Sequence, residues 1–355
     1  MKEILAELEE WERRGEKIAL ATVVGVRRSA PRPPGAKMAV NASGEIAGSV
    51  SGGCVEGAVV EIADAILGGE PPRLLHFGIA DAEAWEVGLP CGGEIDVWVQ
   101  RHEYAPDAPA PLERAAREGG RLAEVTALEG ARPGAKLIVS AAGSRSGTLG
   151  APELDDEAAR VAGELIWKGT SERRGALFVD VVAPAPRLIL FGAVDIAAAV
   201  CRLARAAGWR PYVVDPRARF ATPERFPEAE QVIAAWPEEA FAQLGGIDPA
   251  TSIAVLTHDP KLDDAALSVA LRSPAGFVGA MGSRRAQHAR RERLLAAGLS
   301  ETELSRLAAP LGLDLGAIDR DETALSILAE VVAARHGRDG GRLARASGRI
   351  HEVPA

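Results

Sequence analysis

From Arg187 onward, short apolar runs alternate with helical stretches at a spacing that few folds accept. Arg187–Phe191 (RLILF) reads as a buried strand, and Gly192–Asp195 as a tight turn. Ile196–Ala207 follows as a helix stopped by Gly208, and Arg210–Val214 as a strand ending in Asp215. Ser252–Leu256 is a strand running into Thr257-His258-Asp259, and Asp263–Arg272 a helix. Gly276–Ala280 is a strand that opens into Gly282-Ser283-Arg284-Arg285 and another helix, and Asp321–His336 closes the chain's periodic part. Strands joined through helices lie parallel, because the helix carries the chain back to begin a neighbour in the same direction. The expected α/β architecture here is a Rossmann-like, doubly wound parallel sheet.

The preceding part follows another pattern. Val182–Pro186 (VAPAP) reads as a linker, since neither Pro184 nor Pro186 fits a sheet interior. A length of 355 residues makes two domains the default, and we expect them over residues 1–182 and 187–355. Met1–Lys17 reads as an amphipathic helix with Ile4, Leu5, Leu8 and Trp11 on one face. Strands are expected at Ile18–Val26, Ala36–Val40 and Glu45–Val50, and another where Ile95, Val97 and Val99 share a face. A helix follows Cys54, marked by Val55, Val59, Ile62 and Ile66 and stopped by Gly68-Gly69.

This part contains a diverged internal repeat. Pro34-Gly35-Ala36-Lys37 reappears as Pro133-Gly134-Ala135-Lys136. At the same offset Val40 matches Val139, Ala42 matches Ala141, Gly44 matches Gly143 and Gly48 matches Gly147. Each copy reads as a hairpin leading to a helix, and the two are expected to pack into one α+β domain with a mixed sheet. The copies differ after the hairpin. The first continues Gly52-Gly53-Cys54-Val55-Glu56, the second Ala151-Pro152-Glu153-Leu154-Asp155, with no thiol and no paired glycines. The shared part reads as scaffold and the Gly-Gly-Cys loop as an addition with a purpose.

Composition narrows the function classes. A net charge of −9 argues against nucleic-acid binding by the overall field. No apolar run is long enough to span a bilayer, and the N-terminal helix lacks the apolar core of a signal peptide. Three cysteines without zinc spacing suggest reduced thiols and a cytoplasmic location. The patterns G-x-S-x-G and H-E-x-x-H are missing, so a serine hydrolase or zinc protease has no support.

Three constellations carry chemistry. The first is the turn Gly192-Ala193-Val194-Asp195-Ile196-Ala197, against the dinucleotide pattern G-x-G-x-x-G/A. Gly192 and Ala197 fit, but Val194 crowds the phosphate position and Asp195 puts a negative charge beside it. Asp215 stands at the distance of a ribose-binding acid. If crowding is what weakens dinucleotide binding, Val194→Gly restores it.

The second is the rim of strand ends, where ligands of open α/β sheets bind. It gathers Asp215, Arg217, His258, Asp259 and Gly282-Ser283-Arg284-Arg285. The helix after Gly282 offers free N–H groups to an anion. His258 reads equally as a hydrogen-bonded structural residue, and Arg290, Arg291 and Arg293 read as a solvated helix face.

The third is the loop Ser51-Gly52-Gly53-Cys54. A thiol at a helix N-terminus has its thiolate favoured by the helix dipole, and the glycines allow a ligand to approach. The plain alternative is a small buried residue. Cys91 lies in a similar Gly-Leu-Pro-Cys-Gly-Gly turn, while Cys201, between Val200 and Leu203, reads as core.

These motifs together resemble the XdhC/CoxI family, accessory factors of molybdenum hydroxylases. The N-terminal match runs through Pro34–Met38, Gly48–Glu56 and Gly88–Gly93. The C-terminal match runs through Asp215-Pro216-Arg217, Arg225-Phe226-Pro227, Thr257-His258-Asp259, Gly279–Arg285 and Gly312–Gly316. The resemblance covers nearly the whole chain. It implies a non-catalytic chaperone that binds the molybdenum cofactor as cargo, as molybdopterin or its cytosine dinucleotide. It also implies help with cofactor sulfuration and insertion into a hydroxylase of the xanthine dehydrogenase or carbon monoxide dehydrogenase type. The partners it implies are that client, a cysteine desulfurase and a second copy of the chain, with no nucleic acid and no membrane. On this reading Ser51, Gly52, Gly53, Cys54, Cys91, Gly192, Asp215, Arg217, His258, Asp259, Gly282, Ser283, Arg284 and Arg285 contact the cofactor, and Cys54 is a molybdenum ligand. Many members carry a second glycine and a histidine where Val194 and Asp195 stand, which speaks against NAD(P) here. The rival readings are an NAD(P)-dependent oxidoreductase and a nucleotide-binding regulator.

Overall fold

The computed structural model of the chain describes residues 1–28, 30–78, 93–103 and 111–345. The chain divides into a compact unit over Met1–Pro184 and a second that begins at Ala185.

In the first unit, helix α1 (Leu5–Arg13) leads into strands β1 (Ile18–Arg27), β2 (Lys37–Asn41) and β3 (Ile46–Gly48). Helix α2 (Glu56–Leu67) follows, then β4 (Arg73–Phe77) and β5 (Glu94–His102). The plan then repeats: α3 (Pro111–Glu118), β6 (Leu122–Ala127), β7 (Lys136–Ser140), β8 (Arg145–Gly147), α4 (Pro152–Lys168), β9 (Glu172–Arg174) and β10 (Leu177–Val182). The sheets have the same strand order, β3-β2-β1-β5-β4 and β8-β7-β6-β10-β9.

Every pairing in them is antiparallel, which replaces the expected single mixed sheet with two antiparallel ones. Hairpin connections reverse the chain at β2-β3, β6-β7, β7-β8 and β9-β10, while β1-β5 and β6-β10 join strands distant in sequence. The N-terminal helix is shorter than expected and stops before Gly15, whose φ of 69° leaves helical space. Its apolar face holds, with Ile4, Leu8 and Trp11 buried.

The second unit is the expected Rossmann-like fold. Its elements are β11 (Arg187–Phe191), α5 (Asp195–Ala206), β12 (Arg210–Val214), β13 (Gln231–Ile233), α6 (Pro237–Gln243), β14 (Thr251–Val255), α7 (Pro260–Arg272), β15 (Phe277–Ala280), α8 (Arg284–Ala296), α9 (Glu301–Leu304), β16 (Leu307–Ala308) and α10 (Arg320–Arg335). The six strands run parallel in the order β13-β12-β11-β14-β15-β16.

Strand alternation sorts the core onto two faces. Leu188, Leu190 and Val213 pack with Val200 of α5 and Ile327 and Val331 of α10. Ile189, Phe191 and Val214 pack on the other face with Phe241, Leu267, Leu271 and Leu294. Burial of each such side chain is worth about 1.5–3 kcal/mol, and the sheet is therefore covered on both sides. No described helix is long and apolar enough to cross a membrane.

Candidate functional site

In the first unit, β3 hands the chain to α2 through Ser49–Val55. Gly48 begins the turn at φ 75°, where a Cβ would stand 2.3 Å from the Lys37 carbonyl oxygen. The Glu56 carboxylate then gathers the loop. Its Oε1 accepts from Ser49 Oγ (2.6 Å), Val50 N (3.2 Å) and Ser51 N (2.9 Å). Its Oε2 accepts from Ser51 Oγ (2.5 Å), Gly53 N (2.9 Å) and Val55 N (3.2 Å). Burial works to raise the Glu56 pKa, but the bonds from Ser49 and Ser51 outweigh it and hold the carboxyl down at about 2.

This arrangement sorts the expected contacts. The Ser51 hydroxyl is buried and fully engaged, since it donates to Glu56 and accepts from Cys54 N and Val55 N. The N–H groups that an anion would need are turned onto Glu56, Ser51 or, from Gly52, onto Ser49 Oγ (2.8 Å). What remains presented is Gly52 and Gly53, both exposed with φ of 78° and 114°, and Cys54, half-buried against the core of its sheet. Cys91 lies outside the described residues. Cys201 is core as expected, and burial pushes its thiol up to about 12.

In the second unit, the carboxyl ends of β11, β12, β14 and β15 bring the other expected residues to one edge. Gly192, with φ 113°, packs so tightly that a Cβ would stand 2.5 Å from Thr257 Cγ2. Asp215 is buried and does not stand free for a ribose. It accepts from Ala193 N (2.9 Å), from Arg217 N and Nε (2.9 Å each) and from Arg217 Nη2 (2.7 Å). Burial would raise its pKa, but the Arg217 guanidinium and the Ala193 N–H hold it below the usual carboxylate range.

Arg225 closes over the same turn. It donates to the Ala193 carbonyl at 3.0 Å and pairs with Asp195 at 3.2 Å. The crevice between Gly192, Asp215 and Thr257 is about 10 Å³, room for one water at most. A pyrophosphate therefore meets a filled turn.

The rest of the rim is open. His258 and Asp259 are exposed, and Asp259 caps α7 by accepting from Lys261 N at 2.9 Å. Gly282, with φ 132°, turns the chain into Ser283, which caps α8 by accepting from Ala286 N at 3.2 Å. Arg284 and Arg285 are exposed and make no ion pair among the described residues. With Arg217 they place three guanidiniums along this edge.

The arginine run behind them needs correction. Only Arg291 is a solvated surface residue, paired with Glu301. Arg290 is 3% exposed, donates to Asp263 at 2.6 Å and to the Met281 carbonyl at 3.0 Å, and braces the loop that carries Ser283. Arg293 holds Asp264 at 2.6 Å. The i, i+4 spacing from Arg290 to the buried Leu294 places both on one helix face, a signal present in the sequence. Sequence reasoning gives no role to Arg225 or Asp263, whose partners Asp195 and Arg290 lie 30 and 27 residues away, nor to Glu56, whose partners are local but are backbone N–H groups and serines that only the loop's fold turns inward.

Comparison with known proteins accounts for both units. Residues 188–331 match the XdhC Rossmann domain, and residues 11–78 match the XdhC and CoxI family. A probable xanthine dehydrogenase subunit from Bacillus subtilis is 28% identical over 90% of this chain and 94% of its own length. The molybdenum cofactor insertion chaperone PaoD of Escherichia coli is 29% identical over 90% of this chain and 84% of its own. A crystal structure of a xanthine dehydrogenase from Bacillus halodurans shares the fold, with a TM-score of 0.62 at 23% identity across 96% of this chain and 97% of that one.

Proposed function

The chain belongs to the XdhC and CoxI family, and from that premise we propose that it is a non-catalytic chaperone of the molybdenum cofactor. It binds the cofactor as cargo, holds it for sulfuration by a cysteine desulfurase, and delivers it to a molybdenum hydroxylase of the xanthine dehydrogenase or carbon monoxide dehydrogenase type. It works in the cytoplasm as a homodimer. The observation that carries this reading is the 29% identity with a molybdenum cofactor insertion chaperone along 90% of the chain.

The geometry speaks against a dinucleotide seated on the first turn of the Rossmann-like unit and leaves the rim beside it for the cargo's anionic group. The first turn of the Rossmann-like unit is occupied by Asp195, Arg225 and the Asp215–Arg217 pair. The rim beside it presents Arg217, Arg284 and Arg285 to a phosphate. In the first unit, Gly52 and Gly53 leave space for a ligand and Cys54 supplies a thiol that ligates molybdenum. Residues 1–182 and 187–355 act as the two functional domains.

The test is incubation with molybdopterin or its cytosine dinucleotide, followed by gel filtration and analysis of molybdenum and pterin in the protein fraction. Retention near one equivalent supports the reading, and tight NADH binding without pterin retention overturns it. Activation of an apo-hydroxylase separates delivery from binding. Cys54→Ala is expected to lower both retention and activation, and unchanged values remove the thiol from the site.

A further inference from the structure

A second group of ligand-type side chains lies in the first unit. Glu12 on α1, His102 at the end of β5 and Glu113 on α3 each offer one atom within 4.8 Å of the others. His102 Nε2 stands 2.9 Å from Glu12 Oε1 and 3.0 Å from Glu113 Oε1. Glu113 is 0% exposed, and neither of its carboxylate oxygens receives a hydrogen bond. A buried carboxylate without a donor is strongly disfavoured unless a cation faces it.

One ring nitrogen cannot satisfy both carboxylates, because a single N–H points one way and the hydrogen bond goes to Glu12. A divalent ion answers all three groups at once. With ligand atoms 2.9–3.0 Å apart, an opening of a few tenths of an ångström seats them around a tetrahedral ion with bonds of about 2.0–2.2 Å.

We infer that Glu12, His102 and Glu113 form a divalent-metal site of zinc type, tying α1 and α3 to the end of β5. One imidazole and two carboxylates are a borderline-to-hard donor set that zinc accepts. The ion has a way in. His102 and Glu113 line a cavity of about 590 Å³ within the first unit, whose wall also carries Lys37, Gln100 and Asp180. Water from that cavity completes the coordination.

The experiment uses the full chain, stripped with a chelator and titrated with zinc chloride by calorimetry. One equivalent is expected to bind with micromolar or tighter affinity and to raise Tm. Glu113→Gln is expected to weaken binding at least tenfold. Since Glu113 is buried, Glu12→Gln at the half-buried ligand gives a second reading, with circular dichroism checking the fold of each. His288→Ala, at the exposed pair with Glu292, is expected to bind like the parent. Cobalt(II) loading is expected to show visible bands without thiolate charge transfer. The site is overturned if the parent takes up no stoichiometric zinc, if both Gln variants bind unchanged, or if a thiolate band appears that Cys54→Ser abolishes.

Discussion

Glu56 and Asp155 hold the same place in the two copies of the repeat and grip the chain in the same way. Glu56 accepts from Ser49 Oγ and Val50 N, and Asp155 accepts from Thr148 Oγ1 and Leu149 N at 2.7 Å each. The duplication thus extends beyond the hairpin to the acid in the first turn of the helix. The first copy carries the longer acid at the same offset, with one methylene more. Asp155 binds only these two donors, while Glu56 reaches on to Ser51, Gly53 and Val55.

Glu56→Ala is expected to lower stability by about 2–3 kcal/mol, from the loss of charge-assisted hydrogen bonds around a partly buried loop. Asp155→Ala is expected to cost less, since the exposed second copy needs only its two bonds. Urea denaturation of the two variants measures the difference.

The Glu56 carboxyl also makes stability depend on pH. Its folded value of about 2 lies below an unfolded value of about 4.3. Its contribution is therefore full above about pH 4.3 and falls away as pH drops toward 2. Denaturation midpoints between pH 5 and 2 are expected to fall less steeply in Glu56→Gln than in the parent.

Lys37 Nζ meets Asp180 Oδ2 at 2.5 Å, with both side chains buried, and this ion pair joins the two copies. Lys37→Met leaves the Asp180 carboxylate buried without its cation and is expected to cost about 3–5 kcal/mol. Lys37→Met with Asp180→Leu is expected to recover much of that loss. A double-mutant cycle in urea reads the coupling.

Val194→Gly is expected to leave NADH binding weak, in contrast to the simple crowding argument. The Asp195 charge, the Arg225 cover and the engaged Asp215 carboxylate all remain. The substitution also removes a half-buried side chain from the core below α5, at about 1 kcal/mol. Fluorescence titration with NADH checks the first statement and thermal melting the second.

Replacing Arg284 and Arg285 together by Ala is expected to reduce cofactor retention about tenfold and to flatten its dependence on salt. Both side chains are exposed, so the melting temperature is expected to hold. Equal retention in parent and variant moves the anion site elsewhere.

Much of this architecture was legible in the sequence. Arg187–Phe191 and Arg210–Val214 read as strands because a short apolar run and a following glycine or acid are local signals. The repeat was legible because Gly48 and Gly147 both need a positive φ beside a lysine carbonyl, a demand that survives divergence. The short strands Gln231–Ile233 and Leu307–Ala308 were not. Two or three residues carry no period, and pairing with β12 and β15 alone makes them strands.

The sequence by itself determined the two-part plan, the parallel second sheet, the duplicated hairpin and the loop that sets Cys54 at a helix start. All of these rest on spacings within one element or between neighbours. Tertiary structure decided which charged residues stand free. Asp215 and Arg290 read as available from their neighbours, and folding commits Asp215 to Ala193 N besides its neighbour Arg217, and Arg290 to Asp263. Ser51 is likewise drawn inward by Glu56, while Arg284, Arg285 and Cys54 keep a face to their surroundings. The reason is that a polar side chain's availability depends on what folding brings within hydrogen-bond reach, and burial forces each such group to find a partner.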